Sequence, residues 1–302
     1  MPAPSGRRKA AFQPEMCERS GKEDTHHSEY PQKERKESGV KIAIVTGASS
    51  GLGRESVIQL WEHFGGMDAI WVAARRRERL EELACQVGVP LRIFALDLTE
   101  RSELAGLEQA LALEKPRVKF LVNAAGFGKM GPVSGQTVKE DADMVRLNCE
   151  ALTAVTRMVL PYMDKNSRII QYASSAAFLP QPDFAVYAAT KAYVLSYSRA
   201  LNRELKDRGI CVTAVCPGPV RTEFFSIAET AGEIPFYKRL VMANPRRVAA
   251  KAVRDSIACR ELSVYGVSMK AFFLLAKIVP HKLLLDAFRA IEYRGGRCPE
   301  RG

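Results

Sequence analysis

From Val40 onward, short wholly apolar runs alternate with longer stretches in which apolar residues recur every three or four positions. The apolar runs VKIAIVT (40–46), DAIWVAA (68–74), LRIFAL (91–96), KFLVN (119–123), RIIQYA (168–173) and ICVTAV (210–215) read as strands, with a shorter one near LSVYG (262–266). Strands that are apolar on both faces belong inside a sheet covered on both sides, as parallel sheets are. The intervening stretches read as helices. Arg54–Phe64 follows a glycine-rich turn, and Glu78–Gln86 carries Leu80, Leu83 and Ala84 on one face. Tyr187–Lys206 is longer and closes near Gly209. Strand–helix alternation of this kind builds right-handed βαβ units. It predicts an α/β fold: a Rossmann-like doubly wound parallel sheet, three layers deep (α/β/α), in a single domain over 40–268. No internal repeat is visible.

The two ends differ from this body. Residues 1–39 are dense in charge, Ser and Pro and cannot bury enough surface to offset their ordering entropy, so a flexible charged tail is expected. His26 and His27 lie in it without further ligands nearby, and no metal site is expected. The extension 269–302 is apolar and basic. Phe272, Phe273, Leu274, Leu275, Ile278 and Val279 are interrupted by Lys270 and Lys277, and Pro280 should break any helix there. It reads first as a helix covering the core or a substrate cleft. The second reading is a surface helix meeting a membrane or a partner through 269–289.

Hydrophobic residues make up 47% of the chain, which excludes a disordered protein. No apolar run reaches the roughly 18 residues of a membrane span, and no signal peptide is apparent. The seven cysteines (Cys17, Cys85, Cys149, Cys211, Cys216, Cys259 and Cys298) are scattered and lack CxxC spacing. A disulfide framework or zinc site is therefore not expected, and a reducing cytoplasm is the simpler setting, with peripheral membrane association as the variant. The formal net charge is +11. Without a basic stripe interleaved with aromatics it does not indicate nucleic acid, and an anionic cofactor accounts for it more simply.

Thr46, Gly47, Ala48, Ser49, Ser50, Gly51, Leu52 and Gly53 follow the first strand and open a helix. Glycines there allow a tight turn, a close approach of backbone to a diphosphate, and close packing of helix on sheet. The helix N-terminus adds N–H donors and the positive end of a dipole. The second strand runs into Arg75, Arg76 and Arg77, where an acidic residue would favour NAD through the ribose hydroxyls. An arginine suits a 2′-phosphate instead, so NADP (NADPH) is expected over NAD, with Arg75 as the contact and Arg76 and Arg77 as a solvated helix start. Asp97 and Leu98 close the third strand where an adenine would lie. Asn123, Ala124, Ala125 and Gly126 close the fourth, with small residues that leave room for a cofactor.

Tyr187 and Lys191 are four apart at the start of a helix and share a face. A neighbouring ammonium stabilises phenolate, so the tyrosine pKa is expected to fall from its ordinary value near 10. Tyr193 and Tyr197 on the same helix show that a tyrosine alone means little. Ser174, thirteen residues before Tyr187, ends an apolar strand where it can meet a substrate oxygen. Asn148 lies in the amphipathic MVRLNCEAL. Its plainer reading is a helical asparagine satisfied by backbone.

Taken in order, TGASSGLG (46–53), DL (97–98), NAAG (123–126), Asn148, Ser174, YAATK (187–191) and PGPVRT (217–222) resemble the short-chain dehydrogenase/reductase family, over about 40–250. One departure is Ala124, where the family often has a second asparagine. The resemblance implies a division of labour. Tyr187 would be general acid in carbonyl reduction and base in alcohol oxidation. Lys191 would bind the nicotinamide ribose, Ser174 would polarise the carbonyl, and Asn148 would hold a proton-relaying water. Pro217, Gly218, Val220 and Thr222 would belong to the cofactor site, the last two anchoring the carboxamide. A homodimer or homotetramer is expected with it.

After PGPVRT come Phe224, Phe225, Ile227, Ile234, Phe236, Tyr237 and Leu240, where the family has its substrate loop. With Ser174, the residues Phe178, Phe184, Phe225 and Tyr237 are expected to line a cleft for a bulky apolar carbonyl or alcohol, of the hydroxysteroid type. The alternatives are a 3-oxoacyl-thioester reductase and, in another class, a non-catalytic NADP-binding sensor. The sensor is disfavoured because Ser174, Tyr187 and Lys191 are all present.

Overall fold

Seven strands make one parallel sheet in the order β3-β2-β1-β4-β5-β6-β7. They are β1 (Lys41–Thr46), β2 (Ala69–Ala74), β3 (Leu91–Ala95), β4 (Arg117–Asn123), β5 (Arg168–Tyr172), β6 (Cys211–Cys216) and β7 (Leu262–Val264). The computed structural model describes residues 39–224 and 242–294, with side chains to residue 287. The tail over 1–38 and the substrate candidates Phe225 and Tyr237, with Ile227, Ile234, Phe236 and Leu240, lie outside the described residues.

The central strands bury both faces because their alternate residues serve different layers. On one face Ile42, Ile44, Leu121, Ile169 and Val212 share a cluster with Leu107 and Leu111 of α3 (Arg101–Glu114) and Val155 of α5 (Leu152–Val159). On the other, Ala43, Val45, Phe120, Val122 and Ile170 pack against Leu60 of α1 (Gly51–His63) and Leu80 and Leu83 of α2 (Arg77–Ala84). Val253 of α7 (Pro245–Ile257) joins the second face. The period of two within wholly apolar strands thus builds the three layers. Chain order reverses between β1 and β4, whose ends are in register at Thr46 and Asn123. Such a switch point opens a crevice at the strand C-termini.

The strand ends agree with the apolar runs to within two residues, except that the run at 262–266 pairs only over its first three. α6 (Ala185–Glu204) is the long helix, and the chain leaves it through a turn closed by Gly209 at φ 65°. α4 (Val138–Val145) runs into a π-helical turn (Arg146–Ala151) and on into α5. Pro280 does break the C-terminal stretch, separating α8 (Val267–Ile278) from α9 (His281–Arg294). The inner face of α8 covers the core, as first expected. Ala276 is buried, and Met269, Phe272 and Phe273 pack against a cluster containing Phe178 and Leu179.

The cysteines require a correction. Cys211 and Cys259 form a disulfide, so one bridge is present where none was expected. The fold makes the meeting. α7 carries the chain back to the start of β6, and Thr213 Oγ1 and the Ala214 amide bond the carbonyls of Arg260 and Glu261. Spacing along the sequence does not show this, because the partners are 48 residues apart. Cys85, Cys149 and Cys216 are free thiols. A cross-link of that separation restricts the unfolded chain by about 4 kcal/mol at most. Dithiothreitol is therefore expected to lower the melting temperature of the native protein and to leave Cys211→Ser/Cys259→Ser unaffected. Equal melting of the native protein with and without reductant would show that the bridge contributes nothing.

Candidate active site

The crevice begins at the turn after β1. Gly47 (φ 68°) and Gly51 (φ 52°) adopt left-handed backbone that favours glycine. A Cβ on Gly47 would lie 2.7 Å from the Ala125 amide nitrogen, and one on Gly53 only 2.3 Å from the Gly47 carbonyl oxygen. Thr46 Oγ1 accepts from the amides of Ala124 (3.2 Å) and Ala125 (3.4 Å), fixing the β4 end against this turn. At the start of α1, Ser50 makes no side-chain cap, and no acidic residue occupies the first turn. The leading N–H groups thus carry no carboxylate of the helix's own, and the cradle fits a diphosphate. Ser49 and Leu52 flank the same turn. Leu98, Asn123 and Ala125 line a small cleft beside Thr46. The Asn123 side chain turns beneath the sheet, donating to Thr156 Oγ1 at 2.9 Å. Its contribution to the crevice is therefore through backbone and position.

The arginines divide differently from expectation. Arg75 is largely exposed, its side chain at 77%, and it stands 3.7 Å from Asp97. Arg76, read from sequence as solvated, reaches the glycine turn. Its guanidinium donates to Ser49 Oγ at 3.2 and 3.4 Å and pairs with Glu223 at 2.8 Å. Arg79 also pairs with Glu223, at 3.3 Å. Arg77 pairs with Glu81 at the surface. Burial raises the Asp97 carboxyl, but hydrogen bonds from Thr99 and the charge of Arg75 outweigh it and leave the pKa lowered. Glu223 is also lowered, first by its bond from Arg76. Arg76 beside Ser49, Arg79 on the shared Glu223 and Arg75 beside Asp97 form a basic rim suited to a phosphate.

At the other end of the crevice, the first turns of α6 bury Tyr187 and Lys191 together. Ser174 Oγ accepts from the Ala176 amide at 3.1 Å. Lys191 Nζ donates to the Tyr172 carbonyl at 3.0 Å and lies 5.6 Å from the centroid of the Tyr187 ring. Asn148 sits in the π-helical turn. Its Nδ2 donates to the Phe127 carbonyl (2.9 Å) and Thr190 Oγ1 (3.0 Å), and its Oδ1 accepts from the Phe127 amide (3.1 Å). Thr190 in turn donates to the Tyr187 carbonyl at 2.7 Å. The Asn148 side chain thus ties the β4 loop to α6. Gly126 must lack a side chain, since a Cβ would fall 2.8 Å from Asn148 Oδ1 and 3.3 Å from Lys191 Nζ.

Tyr187 departs from expectation. Burial pushes its pKa up to about 12, against the pull of the Ser174 hydrogen bond. Lys191 does not draw it down, because the ammonium faces the ring and a carbonyl, and burial pushes its own pKa down to about 8.

Phe184 stacks on Tyr187 with centroids 4.2 Å apart, and Phe224 meets the same ring at 5.3 Å. Phe178 turns elsewhere, onto Phe273 of α8 at 4.9 Å. Pro217 accepts from the Ser175 amide at 2.8 Å, and Gly218 is pressed by Met269. Val220 bridges to Ala243, and Thr222 packs on Gly51. Three contributors were missed. Thr190 lies inside YAATK, where the outer residues drew notice. Gly128 leaves room for Tyr187, Phe184 and Phe224, each under 3.0 Å from a Cβ placed there. Glu223 has no sequence signal, since its partners are more than 140 positions away.

A glycine cradle at a helix start and a phosphate-suited rim share this crevice with a half-buried serine and a buried tyrosine and lysine, as a nicotinamide-dependent oxidoreductase requires. The short chain dehydrogenase family matches residues 41–231, and the chain belongs to the short-chain dehydrogenase/reductase family. An NADP-dependent 3-hydroxy acid dehydrogenase of Shigella flexneri is 34% identical over 190 residues, covering 62% of this chain and 75% of that protein. A very-long-chain 3-oxoacyl-CoA reductase of Anas platyrhynchos is 30% identical over 211 residues, covering 67% and 66%. A solved short-chain dehydrogenase from Sphingobium yanoikuyae in complex with NADPH superposes with a TM-score of 0.66 at 26% identity, covering 87% of this chain and 98% of that one.

The buried lysine has a thermodynamic consequence. Unfolded, it keeps its proton to about 10.5; folded, only to about 8. Between those values the unfolded chain binds more protons, so stability from this group rises with pH across the window. Below pH 8 the full cost of its burial remains, about 3 kcal/mol. Lys191→Met is therefore expected to lose turnover yet to resist urea better than the native protein at pH 7, with a smaller advantage at pH 9.5. Equal or lower resistance at pH 7 would show that the ammonium is compensated.

Proposed function

We propose that this chain is an NADP(H)-dependent reductase of bulky, apolar carbonyl compounds, of the hydroxysteroid type, running the reverse oxidation on the same residues. The observation that carries the reading is the buried Tyr187 ring, walled by Phe184 and Phe224 and faced by the Lys191 ammonium. The glycine turn and α1 would hold the diphosphate, Arg75, Arg76 and Ser49 the 2′-phosphate, and Asp97 and Leu98 the adenine. Asn123, Ala125, Gly126, Lys191, Val220 and Thr222 would hold the nicotinamide half. The bound cofactor supplies the hydride.

The chain supplies position and a proton. Ser174 donates to the carbonyl oxygen and polarises it. Tyr187 hands its proton to that oxygen as charge develops there. With a pKa near 12 the phenol enters the reaction protonated at neutral pH, the state an acid needs for reduction. Lys191 is charged below about pH 8, and its ammonium, held at the Tyr172 carbonyl, would hold the nicotinamide ribose. Asn148 and Thr190 hold α6 and the β4 loop in the register that keeps these groups together.

A second reading rests on a specific likeness. The Anas platyrhynchos relative is named as a very-long-chain 3-oxoacyl-CoA reductase. A long acyl chain would meet the same aromatic wall as a fused-ring ketone. Oxidation of NADPH by ketosteroids, 3-oxoacyl-CoA thioesters and small aldehydes separates the readings. The first predicts turnover of the ketosteroids, and turnover of thioesters alone would replace it with the second. Tyr187→Phe is expected to cost at least about 100-fold in kcat with NADPH affinity largely kept. Residual activity near that of the native protein would remove Tyr187 from the acid/base role.

The cofactor end is tested separately. Arg75→Asp/Arg76→Asp is expected to raise the KM for NADPH by about 10- to 100-fold and to leave NADH less affected, as loss of charge-assisted phosphate bonds requires. An unchanged ratio of kcat/KM for the two cofactors would refute the assignment.

A further inference from the structure

We propose that the outer face of α8, continued by Leu283 at the start of α9, is a docking surface for an anionic lipid membrane. α8 is apolar on both sides. Its inner face carries Met269, Phe272, Phe273 and the buried Ala276 against the core. Its outer face leaves Val267 83%, Leu274 56%, Leu275 46% and Ile278 79% exposed, with Leu283 at 59% beyond the Pro280 break. A helix that serves only to cover a core has a polar outer face. Contiguous exposed leucine, isoleucine and valine on two successive helices mark a contact surface.

The charge around this face selects the occupant. Lys270 and Lys277 border it on α8, and Lys282 adjoins Leu283. All three are exposed, and among the described residues none of them pairs with a carboxylate. From Val267 to Gly302 the sequence has seven lysines and arginines against three carboxylates. An apolar strip edged by lysines matches acyl chains beneath anionic headgroups. It suits a second copy of this chain poorly, because a two-fold contact would bring each copy's lysines towards the other's. No described helix is long and apolar enough to cross a membrane. The contact would therefore be interfacial, with α8 lying in the plane of the surface.

The placement also bears on the reaction. The inner face of α8 packs on Phe178, at the end of the turn that Ser174 opens, and Met269 presses on Gly218 of the cofactor loop. One helix, about 10 Å across, would thus separate the lipid surface from the turn that Ser174 opens. This surface does not depend on which apolar substrate is reduced.

Flotation of the full-length chain tests the proposal, using vesicles of phosphatidylcholine alone or with about 30% phosphatidylserine, at low salt. Flotation is expected with the anionic vesicles and to be weak with the neutral ones. Leu274→Glu/Ile278→Glu should reduce the bound fraction at least about tenfold, since both side chains would leave the acyl layer. Lys270→Glu/Lys277→Glu should weaken binding about 25-fold or more, near fivefold for each lysine lost. Leu113→Glu, at an equally exposed leucine on α3, should change nothing. Circular dichroism checks that the variants fold, which the exposure of the altered side chains favours. Failure of the native chain to float with anionic vesicles overturns the proposal. So does flotation undiminished in Leu274→Glu/Ile278→Glu, which would place binding elsewhere on this basic chain. A concentration-dependent dimer that this variant dissolves, without vesicle binding, would assign the face to a second copy.

Discussion

The reactive edge depends on one close approach, that of the turn after β1 to the end of β4. Thr46 and Asn123 are in register, and Thr46 Oγ1 holds the amides of Ala124 and Ala125. There is no room at Gly47 for even a methyl group, with the Ala125 backbone 2.7 Å from where it would stand. The approach sets the switch point of the sheet, aims the start of α1 into the crevice, and leads directly into Gly126 and Phe127. Those two residues meet Asn148, and Asn148 meets Thr190 on the helix that carries Tyr187 and Lys191. The glycine turn and the Tyr187–Lys191 pair are therefore positioned by one continuous set of contacts.

Electrostatics at the reactive end favour chemistry over stability. Lys191 and Tyr187 are both buried, and burial moves both away from their charged forms. A lysine pushed down to about 8 gives up its proton more easily than free lysine does, and a phenol pushed up to about 12 keeps its own more firmly. The sequence pair alone suggested the opposite for the tyrosine, since an ammonium four residues away should lower it. Spacing supplies proximity, but the sign depends on where the ammonium points. Here it points at the Tyr172 carbonyl and the ring rather than at the hydroxyl.

That difference illustrates what could be read from the chain and what could not. Strands, their order of alternation with helices, and the glycine turn were legible because each is a local pattern with a period or a steric demand. Ser174, Tyr187 and Lys191 were legible because their order and spacing are shared with a family. The Cys211–Cys259 bridge was not, since it needs the return of α7 to β6. Arg76 and Arg75 are chemically identical neighbours, and only the backbone direction at the end of β2 decides which one reaches Ser49. Phe178 and Phe184 were grouped by sequence proximity, yet the turn between them sends one to α8 and the other to Tyr187.

The segment Thr222–Phe224 shows why residues of the crevice resist sorting into separate cofactor and substrate sets. Thr222 packs on Gly51 at the diphosphate turn. Glu223 holds Arg76 and Arg79 on the basic rim. Phe224 lies against the ring of Tyr187. Three consecutive residues thus touch the turn, the rim and the buried tyrosine, and the backbone between them is too short to move one without the others. A guanidinium that exchanges the Glu223 carboxylate for a phosphate must alter the same stretch that walls the tyrosine. The basic rim and the wall around Tyr187 are thus joined through covalent geometry, with no longer pathway required.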